Sequence, residues 1–521
     1  MLLKKYRYKM DRLFKKYTII LFLSLFACYP LSCKFLPDSI KPAAQKNHIL
    51  PLSELRDDIQ SIINNSDMAN AFIGVCVQSS ETGEYFYKLN ETKNFIPASN
   101  LKLLTTAAAL EYLGKDFTFS TACYLDGKIN PNNEFIGNII VRGLGDPTLS
   151  GYFFENPLQF FEKWALKLDS AGINSIRGNI IADDRYFDRN YYAPGWAFDD
   201  MMLPFSPQVS ALSVFDNKID IIVSPPDKEG EKGKVKVFPE NSYVRIINNL
   251  KPSAPGTITE LIPYRENNSN IIELYGSIAS DSVKREDSRL SVCIDNPSSY
   301  FLNLFKHSIE KNNIRFRGAL LNVNDLNQPV SYAGLLPFDI NLSPPLKVIL
   351  PVVNQKSHNL IAEILLKTIG KEKTGTGSYA RGIEQVKKFA DKSGIATDNI
   401  CIVDGSGLSR LNLLSPKSMV ALLNSVYHSD KREIFMSSLA QPGKNGTLKR
   451  RMTQSRAEFS VMAKTGSMNG ISNLSGYLVT KDKEVLSFSI MMMGFTVPES
   501  IAQNLQDLIC MRLASFSRKP E

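Results

Sequence analysis

Beyond residue 51, apolar and polar positions follow first a helical and then a strand-like pattern. Apolar residues recur with helical spacing over 52–66. Alternation over 71–78 and 84–89 predicts a β-hairpin that turns at Glu81-Thr82-Gly83. Residues 97–113 (PASNLKLLTTAAALEYL) predict a helix with Ser99 as its capping residue. This part of the chain therefore reads as helix, hairpin, helix.

The middle of the chain is richer in strand patterns. In chain order it predicts strands over 117–123 and 136–142, a helix over 158–170, a strand over 175–182, mostly β structure over 225–290 and a helix over 297–312. Long helices and strong strands return from about Pro345 onward. This pattern predicts an α+β unit formed by both ends of the chain and interrupted by a large β-rich insertion.

The changes of pattern also give domain boundaries. The α+β unit takes residues 52–114 and 341–521, the insertion takes 115–340, and a nested β-rich domain lies near 225–290. The length of 521 residues fits about two to four domains of ordinary size. With 43% apolar and 22% charged residues, the composition excludes collagen-like, disordered and polytopic membrane proteins.

The formal net charge of +9 is concentrated at the start of the chain. Residues 1–27 hold seven basic residues and one acid, so six of the nine positive charges lie there. The remainder is nearly neutral, which argues against a nucleic-acid partner.

The basic run precedes an uncharged apolar stretch, Tyr17–Ala27. It is too short for a membrane span of about 20 residues, and the combination is typical of an export signal. We therefore predict a leader over 1–33, a linker over 34–51 and a location in the periplasm or cell envelope. The run ending at Cys28 resembles a lipoprotein processing site, in which Cys28 would carry the lipid, and Cys33 is a second candidate for the lipidated residue. The alternative is cleavage of the leader without lipidation, so peripheral membrane attachment stays open.

Cysteine and histidine usage predicts neither a disulfide scaffold nor a metal site. Five scattered cysteines without a CxxC pair favour free buried thiols: Cys76, Cys123, Cys293, Cys401 and Cys510. The four histidines are too far apart for a shared helix-borne metal site, and no HExxH is present. No metal or other cofactor is expected.

The first candidate for chemistry is Ser99 with Lys102, three positions apart at the start of a predicted helix. This spacing places both side chains on one face. The positive end of the helix favours a developing alkoxide, and a desolvated amine can accept its proton. Pro97-Ala98 supplies a rigid approach, and the apolar run Leu103–Ala109 would bury the site.

The second candidate is Ser357-His358-Asn359, between two helical stretches. A hydroxyl there could relay a proton, and an amide could hold a substrate carbonyl. The alternative is a helix cap in which Ser357 binds its own backbone.

The third candidate is Lys464-Thr465-Gly466, which ends a strand-like run beside a hairpin and is therefore expected on an edge strand. The cation and hydroxyl suit a carboxylate, and Gly466 would let a substrate backbone approach closely. Lys373-Thr374-Gly375 repeats these letters in a Gly-rich stretch after a helix, and we predict that it is a connector.

The order SxxK, SxN, KTG is the motif set of serine penicillin-recognising enzymes. The sequence resembles, more closely, the class C penicillin-binding proteins, a family of serine-type D-alanyl-D-alanine carboxypeptidases/endopeptidases, from about residue 55 to 513. Four further stretches carry this resemblance: Gly143–Leu149 (GLGDPTL), Ala193–Trp196 (APGW), Asp404–Arg410 (DGSGLSR) and Asn445–Lys449 (NGTLK).

The resemblance implies a β-lactamase/transpeptidase-like domain, an antiparallel sheet flanked by helices, with the family's extra domains inserted between Lys102 and Ser357. It also implies hydrolysis of the D-alanyl-D-alanine or D-alanyl-diaminopimelyl bond of peptidoglycan stem peptides through an acyl-serine. β-Lactams would be covalent inhibitors of this reaction.

The resemblance assigns a role to each motif residue. Ser99 would be the nucleophile, Lys102 its general base and Ser357 the proton relay to the leaving D-alanine. Asn359 would hold the peptide amide, Lys464 with Thr465 would bind the terminal carboxylate, and the backbone N–H groups of Ser99 and Ser467 would form the oxyanion hole. The resemblance also gives Arg410 a part in substrate binding, and it implies that the acidic turn Asp183-Asp184 meets the stem-peptide amine. His358, where the family often has Asp, bears on pH dependence.

Two other functions stay open at this point. A serine β-lactamase needs a fast deacylating water, but no ExxLN motif supplies a glutamate base and the large insertion fits poorly. A non-catalytic penicillin-binding or cell-wall-binding protein could keep the cleft, but the five intact motif residues argue against it.

Overall fold

The structure of this chain is a computed structural model that describes residues 52–64, 66–226, 230–280 and 287–518. The predicted leader and linker, including Cys28 and Cys33, lie outside the described residues.

Ten α-helices lie within the described ranges. They are α1 Leu52–Ile63, α2 Leu101–Tyr112, α3 Gln159–Ser170, α4 Pro297–Lys311, α5 Leu346–Gln355, α6 Asn359–Thr374, α7 Tyr379–Lys392, α8 Pro416–Tyr427, α9 Arg432–Ser437 and α10 Glu499–Ala514.

Nineteen strands lie in the same part of the chain. The strands before residue 230 are β1 Phe72–Ser79, β2 Tyr85–Leu89, β3 Ser120–Ile129, β4 Glu134–Gly143, β5 Ser175–Arg177, β6 Ile180–Asp183 and β7 Lys218–Ser224. The later ones are β8 Lys234–Phe238, β9 Arg245–Asn248, β10 Lys251–Ser253, β11 Glu260–Arg265, β12 Ile271–Ala279, β13 Ser288–Cys293, β14 Arg315–Arg317, β15 Leu320–Asn322, β16 Pro337–Leu342, β17 Val461–Met468, β18 Ile471–Val479 and β19 Val485–Met493.

The two ends of the chain share one five-stranded antiparallel sheet with the order β17-β18-β19-β1-β2. Strand β1 lies between β19 and β2, and its residues Phe72 to Ser79 pair with Met493 to Leu486. Strand β17 is the edge, as predicted for the strand that carries Lys464.

Helices cover both faces of this sheet because successive strand residues point to opposite sides. On β18, Leu474 and Leu478 pack with helices α1 and α10. Tyr477 points the other way, into a core formed with α2 and α5 to α8. Helix α2 is buried on every side from Leu101 to Leu110, which is typical of a helix that is apolar all round.

The inserted residues form three more sheets. β14, β5, β4, β3 and β16 build the largest together with β6 and β15, β13-β7-β8 form a second, and β9 to β12 form a third. Helices α3 and α4 pack on these strands around buried aromatic side chains such as Trp164 and Phe301. The described part of 225–290 has the predicted β character, while the predicted boundaries 52–114, 115–340 and 341–521 stay a prediction.

One strand that the sequence predicted as continuous is two strands in the structure. The strand expected over 175–182 ends at Arg177 and resumes at Ile180. Gly178 between them has a φ of +145°, and a Cβ there would lie 1.9 Å from the Gly137 carbonyl oxygen. This close approach breaks the strand into β5 and β6.

Four of the five described cysteines are buried, Cys401 is half-buried, and all five are free thiols, as predicted. Across the described ranges, no group of acidic, histidine and cysteine side chains is arranged to hold a metal ion. None of the helices in those ranges is long and apolar enough to cross a bilayer.

Candidate active site

Ser99 lies in a short 3-10 turn, Ala98–Asn100, directly before the buried helix α2. Ala98 is fully buried and has a φ of +45°, a conformation that is costly for a residue with a side chain. Asn100, not Ser99, stands at the start of α2, and its side chain does not cap the helix. The predicted cap at Ser99 is therefore wrong: its hydroxyl accepts a hydrogen bond from Lys102 and faces a cavity.

Lys102 connects three parts of the site. Its Nζ donates to Ser99 Oγ at 2.9 Å, to Asn359 Oδ1 at 2.6 Å and to the Ser406 carbonyl at 2.7 Å. Full burial lowers the pKa of Lys102 to about 7, although nearby carboxylates raise it in part. An amine with this pKa can accept the Ser99 proton near neutral pH.

Two buried acids that the sequence analysis missed hold the loop that meets Lys102. Glu363 on α6 accepts from the backbone N–H groups of Gly405 (2.8 Å) and Ser406 (2.7 Å). Asp404 accepts from two further N–H groups of the same loop. Burial raises the pKa of both carboxyls. The signal that could have found Glu363 is an acid inside an apolar helix (NLIAEILL), since a buried charge needs partners.

Ser357 lies between α5 and α6, as predicted, with a φ of +59°. Its Oγ accepts a hydrogen bond from Lys464 Nζ at 2.9 Å. The helix cap is His358, whose Nδ1 accepts from the Ile361 N–H at 3.4 Å. The alternative in which Ser357 caps α6 is therefore wrong.

Asn359 is held at both ends of its amide. Oδ1 accepts from Lys102, and Nδ2 donates to the Phe205 carbonyl at 2.7 Å. Phe205 belongs to the inserted residues, so the insertion contributes directly to the site.

Lys464 is fully buried on β17, and its Nζ donates to Ser357 and to the Thr465 carbonyl at 2.8 Å. Burial, together with the nearby charge of Lys102, holds the pKa of Lys464 well below its usual range. Thr465 Oγ1 donates to Thr447 Oγ1 at 2.9 Å. The prediction that Gly466 lets a substrate backbone approach is wrong. A Cβ at this position would lie 2.7 Å from the Pro97 carbonyl oxygen, so the glycine instead lets β17 approach the Ser99 turn.

A cavity of about 470 Å³ opens over Ser99. Arg410 lies at its wall, with Nη2 donating to the Asn469 carbonyl at 3.2 Å. Asp200, which the sequence analysis did not single out, also lines it. The predicted site residues on this cavity are Ser99, Ser357, Asn359, Arg410 and Ser467. Lys102 and Lys464 lie directly behind them, and Thr465 follows Lys464.

The expected contact of Asp183-Asp184 with a substrate amine is wrong. Both side chains are nearly fully buried in the insertion. Asp183 pairs with Arg185 and accepts from Tyr332, while Asp184 accepts from Ser298. Their oxygens are occupied within the fold, and neither residue lines the cavity over Ser99.

Lys373-Thr374-Gly375 lies at the end of helix α6, whereas the prediction placed all three residues after a helix. Lys373 and Thr374 end helix α6, and Gly375 is its C-cap with a φ of +80°. The cavity over Ser99 is lined by none of these three residues.

Comparisons with known proteins agree with this geometry. The sequence model of the D-Ala-D-Ala carboxypeptidase 3 (S13) family matches residues 55–515. The D-alanyl-D-alanine carboxypeptidase of Actinomadura sp. (strain R39) is 32% identical over 476 residues, 89% of this chain and 85% of that protein.

Two solved structures share the fold. Penicillin binding protein 4 from Haemophilus influenzae gives a TM-score of 0.76 at 23% identity, over 90% of this chain and 100% of that one. The same protein complexed with a novel β-lactam gives a TM-score of 0.70 at 24% identity, over 87% and 98% of the two chains. These likenesses confirm the predicted fold class.

Proposed function

Because this chain belongs to the D-Ala-D-Ala carboxypeptidase 3 (S13) family, we propose that it hydrolyses the bond after D-alanine in peptidoglycan stem peptides through an acyl-serine at Ser99. The observation that carries the proposal is the buried Lys102 amine, 2.9 Å from Ser99 Oγ. Its lowered pKa suits a general base for this hydroxyl.

In the acylation step, Ser99 Oγ attacks the carbonyl carbon of the scissile bond while its proton passes to Lys102 Nζ. The backbone N–H groups of Ser99 and Ser467 stabilise the negative charge that develops on the carbonyl oxygen. Asn359 is held by Lys102 and Phe205, so its amide presents a fixed face to the substrate backbone.

The leaving amine takes its proton from the Ser357 hydroxyl, which Lys464 Nζ resupplies through its hydrogen bond. The proton that Lys102 took from Ser99 restores Lys464, so that both lysines return to their starting states. Lys464 and Thr465 bind the terminal carboxylate, whose charge would favour the ammonium form of the otherwise desolvated Lys464. Arg410, at the cavity wall, assists in binding the acyl half of the substrate. Water then hydrolyses the ester and restores Ser99.

A β-lactam would acylate the same serine and remain attached. The solved structure of a Haemophilus influenzae protein of the same fold complexed with a β-lactam supports this proposal. Carboxypeptidase and endopeptidase action differ only in the leaving group, and we propose that the open cavity serves both.

The test is incubation with a labelled penicillin, followed by mass spectrometry of the adduct over time. A long-lived adduct on Ser99 that is lost in Ser99→Ala supports the proposal. Rapid turnover of the penicillin would indicate a β-lactamase instead, and absence of any Ser99-dependent label would contradict catalysis altogether.

A digest of linear stem peptide beside cross-linked muropeptide measures the two peptidase activities. Release of D-alanine alone would contradict the endopeptidase part of the proposal, while cleavage of the cross-link alone would contradict the carboxypeptidase part.

We also propose that the protein is exported to the periplasm or cell envelope, on the strength of the basic and apolar start of the chain. Fractionation of cells that express the full chain, with a form lacking residues 2–33 as control, tests this. Retention of the full chain in the cytoplasm would contradict export.

A further inference from the structure

Three consecutive residues of the insertion adopt a left-handed conformation. Phe215, Asp216 and Asn217 have φ values of +51°, +55° and +55°, and none of them is glycine. Such residues are costly singly and rarer still in a run. A strained segment that persists is one that its surroundings over-determine, and such segments concentrate at functional sites.

The side chain of Asn217 holds this left-handed segment, residues 215–217, through three hydrogen bonds. Its Nδ2 donates to the Gln208 carbonyl at 2.9 Å and to Ser213 Oγ at 3.0 Å. Its Oδ1 accepts from the Val214 N–H at 3.2 Å. These bonds hold the backbone so that the Asp216 side chain points at the loop that carries Ser357.

Asp216 is 7% exposed and meets two nitrogen groups. Its Oδ2 lies 3.2 Å from Lys218 Nζ, and its Oδ1 lies 3.1 Å from His358 Nε2. Although burial raises the pKa of Asp216, His358 and Lys218 together hold it at about 2. The carboxylate is therefore charged near neutral pH.

His358 has both ring nitrogens engaged. Nδ1 accepts from the Ile361 N–H, and Nε2 lies 3.1 Å from the Asp216 carboxylate. The ring also packs at 85° against the ring of Tyr152, with 5.1 Å between the centroids. His358 is thus fixed from the insertion on two sides.

Ser357 and Asn359 flank this fixed residue. Ser357 keeps its φ of +59° while its hydroxyl meets Lys464, and Asn359 keeps its amide between Lys102 and Phe205. A shift of the loop backbone at His358 would displace both of these side chains from the two lysines.

We infer that Asp216 is a positioning residue: through His358 it holds residues 357–359 so that Ser357 meets Lys464 and Asn359 meets Lys102. The inference rests on the proposed acyl-serine reaction and extends it to a residue of the insertion. Asp216 touches no reacting atom, and its effect on the reaction passes through the geometry of this loop.

Two variants of His358 separate positioning from helix capping. In His358→Asn, the amide oxygen can still accept the hydrogen bond from the Ile361 N–H, but the shorter side chain no longer reaches Asp216. In His358→Gln, the amide nitrogen lies near the position of Nε2 and can still contact Asp216, but the longer side chain no longer places an acceptor at the Ile361 N–H. Acylation by penicillin is measured in the intact protein as the limiting rate and the binding constant separately, with thermal unfolding as the check on folding.

We expect His358→Asn to lower the limiting acylation rate about ten- to hundredfold with little change in the binding constant, since small misplacements of reacting groups cost that much. His358→Gln should stay within about threefold of the unmodified protein in that rate, because it restores the contact. Asp216→Asn added to His358→Asn should lower the rate no further, since the contact between Asp216 and His358 is already lost. The loss of the ion pair with Lys218 should appear in thermal unfolding only. Asn tolerates the left-handed conformation at position 216.

Asp339→Asn is the matched control. Asp339 is also a buried carboxylate of the insertion, paired with Lys163 and Lys167, and it does not contact residues 357–359. Its change should leave the acylation rate as it is.

Acylation of His358→Asn at the unmodified rate would overturn the inference, and so would an equal loss in His358→Gln, which would assign the effect to the cap or to ring volume. Failure of the unmodified protein to form any Ser99 adduct would instead overturn the proposed function, which keeps the two failures distinct.

Discussion

Lys102 makes its contacts in a place where water does not reach, and this sets its chemistry. A fully buried amine that donates to three oxygen atoms would ordinarily keep its proton, yet desolvation lowers its pKa from 10.5 to about 7. The proposed base is therefore neutral in the range in which a serine hydroxyl needs one.

This pKa predicts the pH dependence of acylation. Below pH 7 Lys102 is protonated and cannot accept the Ser99 proton, so the acylation rate should rise with pH and level off above about 7. Stopped-flow acylation by a fluorescent penicillin from pH 5 to 9 measures it, and Lys102→Arg, which stays protonated, should not be acylated. A rate that is constant down to pH 5 would contradict the assignment of the base.

The sequence Lys-Thr-Gly occurs twice, so that the lysine of one copy, Lys373, can serve as a control for the other, Lys464. Lys464→Gln removes the buried amine that meets Ser357 and that is proposed to bind the terminal carboxylate. We expect the KM for a D-Ala-D-Ala peptide to rise and kcat to fall, with a total loss of about a hundredfold or more in kcat/KM. Lys373→Gln removes a cation at the end of α6, which stacks over the ring of Tyr112, and should leave both constants unchanged.

Equal losses in the two variants would contradict the assignment of the carboxylate site to β17.

The sequence already predicted the difference between these lysines, because only one of them follows a strand-like run. It did not predict Phe205, because this residue contributes a backbone carbonyl, which any residue type could supply and no local motif encodes. Glu363 was also missed, although an acid inside an apolar helix marks it.

At the scale of elements, the site depends on how closely β17 approaches the turn before α2. The predicted edge strand, the loop between α5 and α6 and the buried helix α2 are all present. The role of Gly466 was predicted wrongly, because alternation along a strand gives which residues share a face but not what the face meets. Here the glycine meets protein backbone, at the Pro97 carbonyl.

Gly466→Ala tests this approach. A Cβ 2.7 Å from the Pro97 carbonyl oxygen and 3.0 Å from Asn100 N must push β17 away from Ser99, so we expect a loss of about 1–3 kcal/mol in unfolding free energy and slower acylation. Gly151→Ala is the control, since a Cβ there would meet no atom within 4 Å, and it should change stability by less than about 0.5 kcal/mol. Unchanged acylation in Gly466→Ala would contradict the contact.

At the scale of the whole chain, the five-stranded sheet joins residues that lie about four hundred positions apart in the sequence. β1 pairs with β19. The core on one face of the sheet consists of the outer segments alone, while the core on the other face also takes in insertion residues such as Trp196 and Val209. The rest of the insertion packs around a core of its own. The sequence predicted that the outer segments form one unit from the change of helix and strand pattern along the chain, and the three motifs fall in those segments. It did not predict that the insertion returns to the site through Phe205 and Asp216, because contacts between distant segments follow from packing rather than from local pattern.

Two valines test whether the chain ends and the insertion are separate packing units. Val77 in β1 and Val223 in β7 are both fully buried, but in different cores. Substitution of either by Ala should cost about 1–3 kcal/mol. Native-state hydrogen exchange should then lose protection in β17 to β19 for Val77→Ala, although those strands lie far along the chain, because β1 is the central partner of β19. Val223→Ala should lose protection in β7, β8 and β13 and leave the five-stranded sheet protected. An equal loss throughout both variants would show that the two cores unfold as one and would contradict the division of the chain at residues 115 and 341.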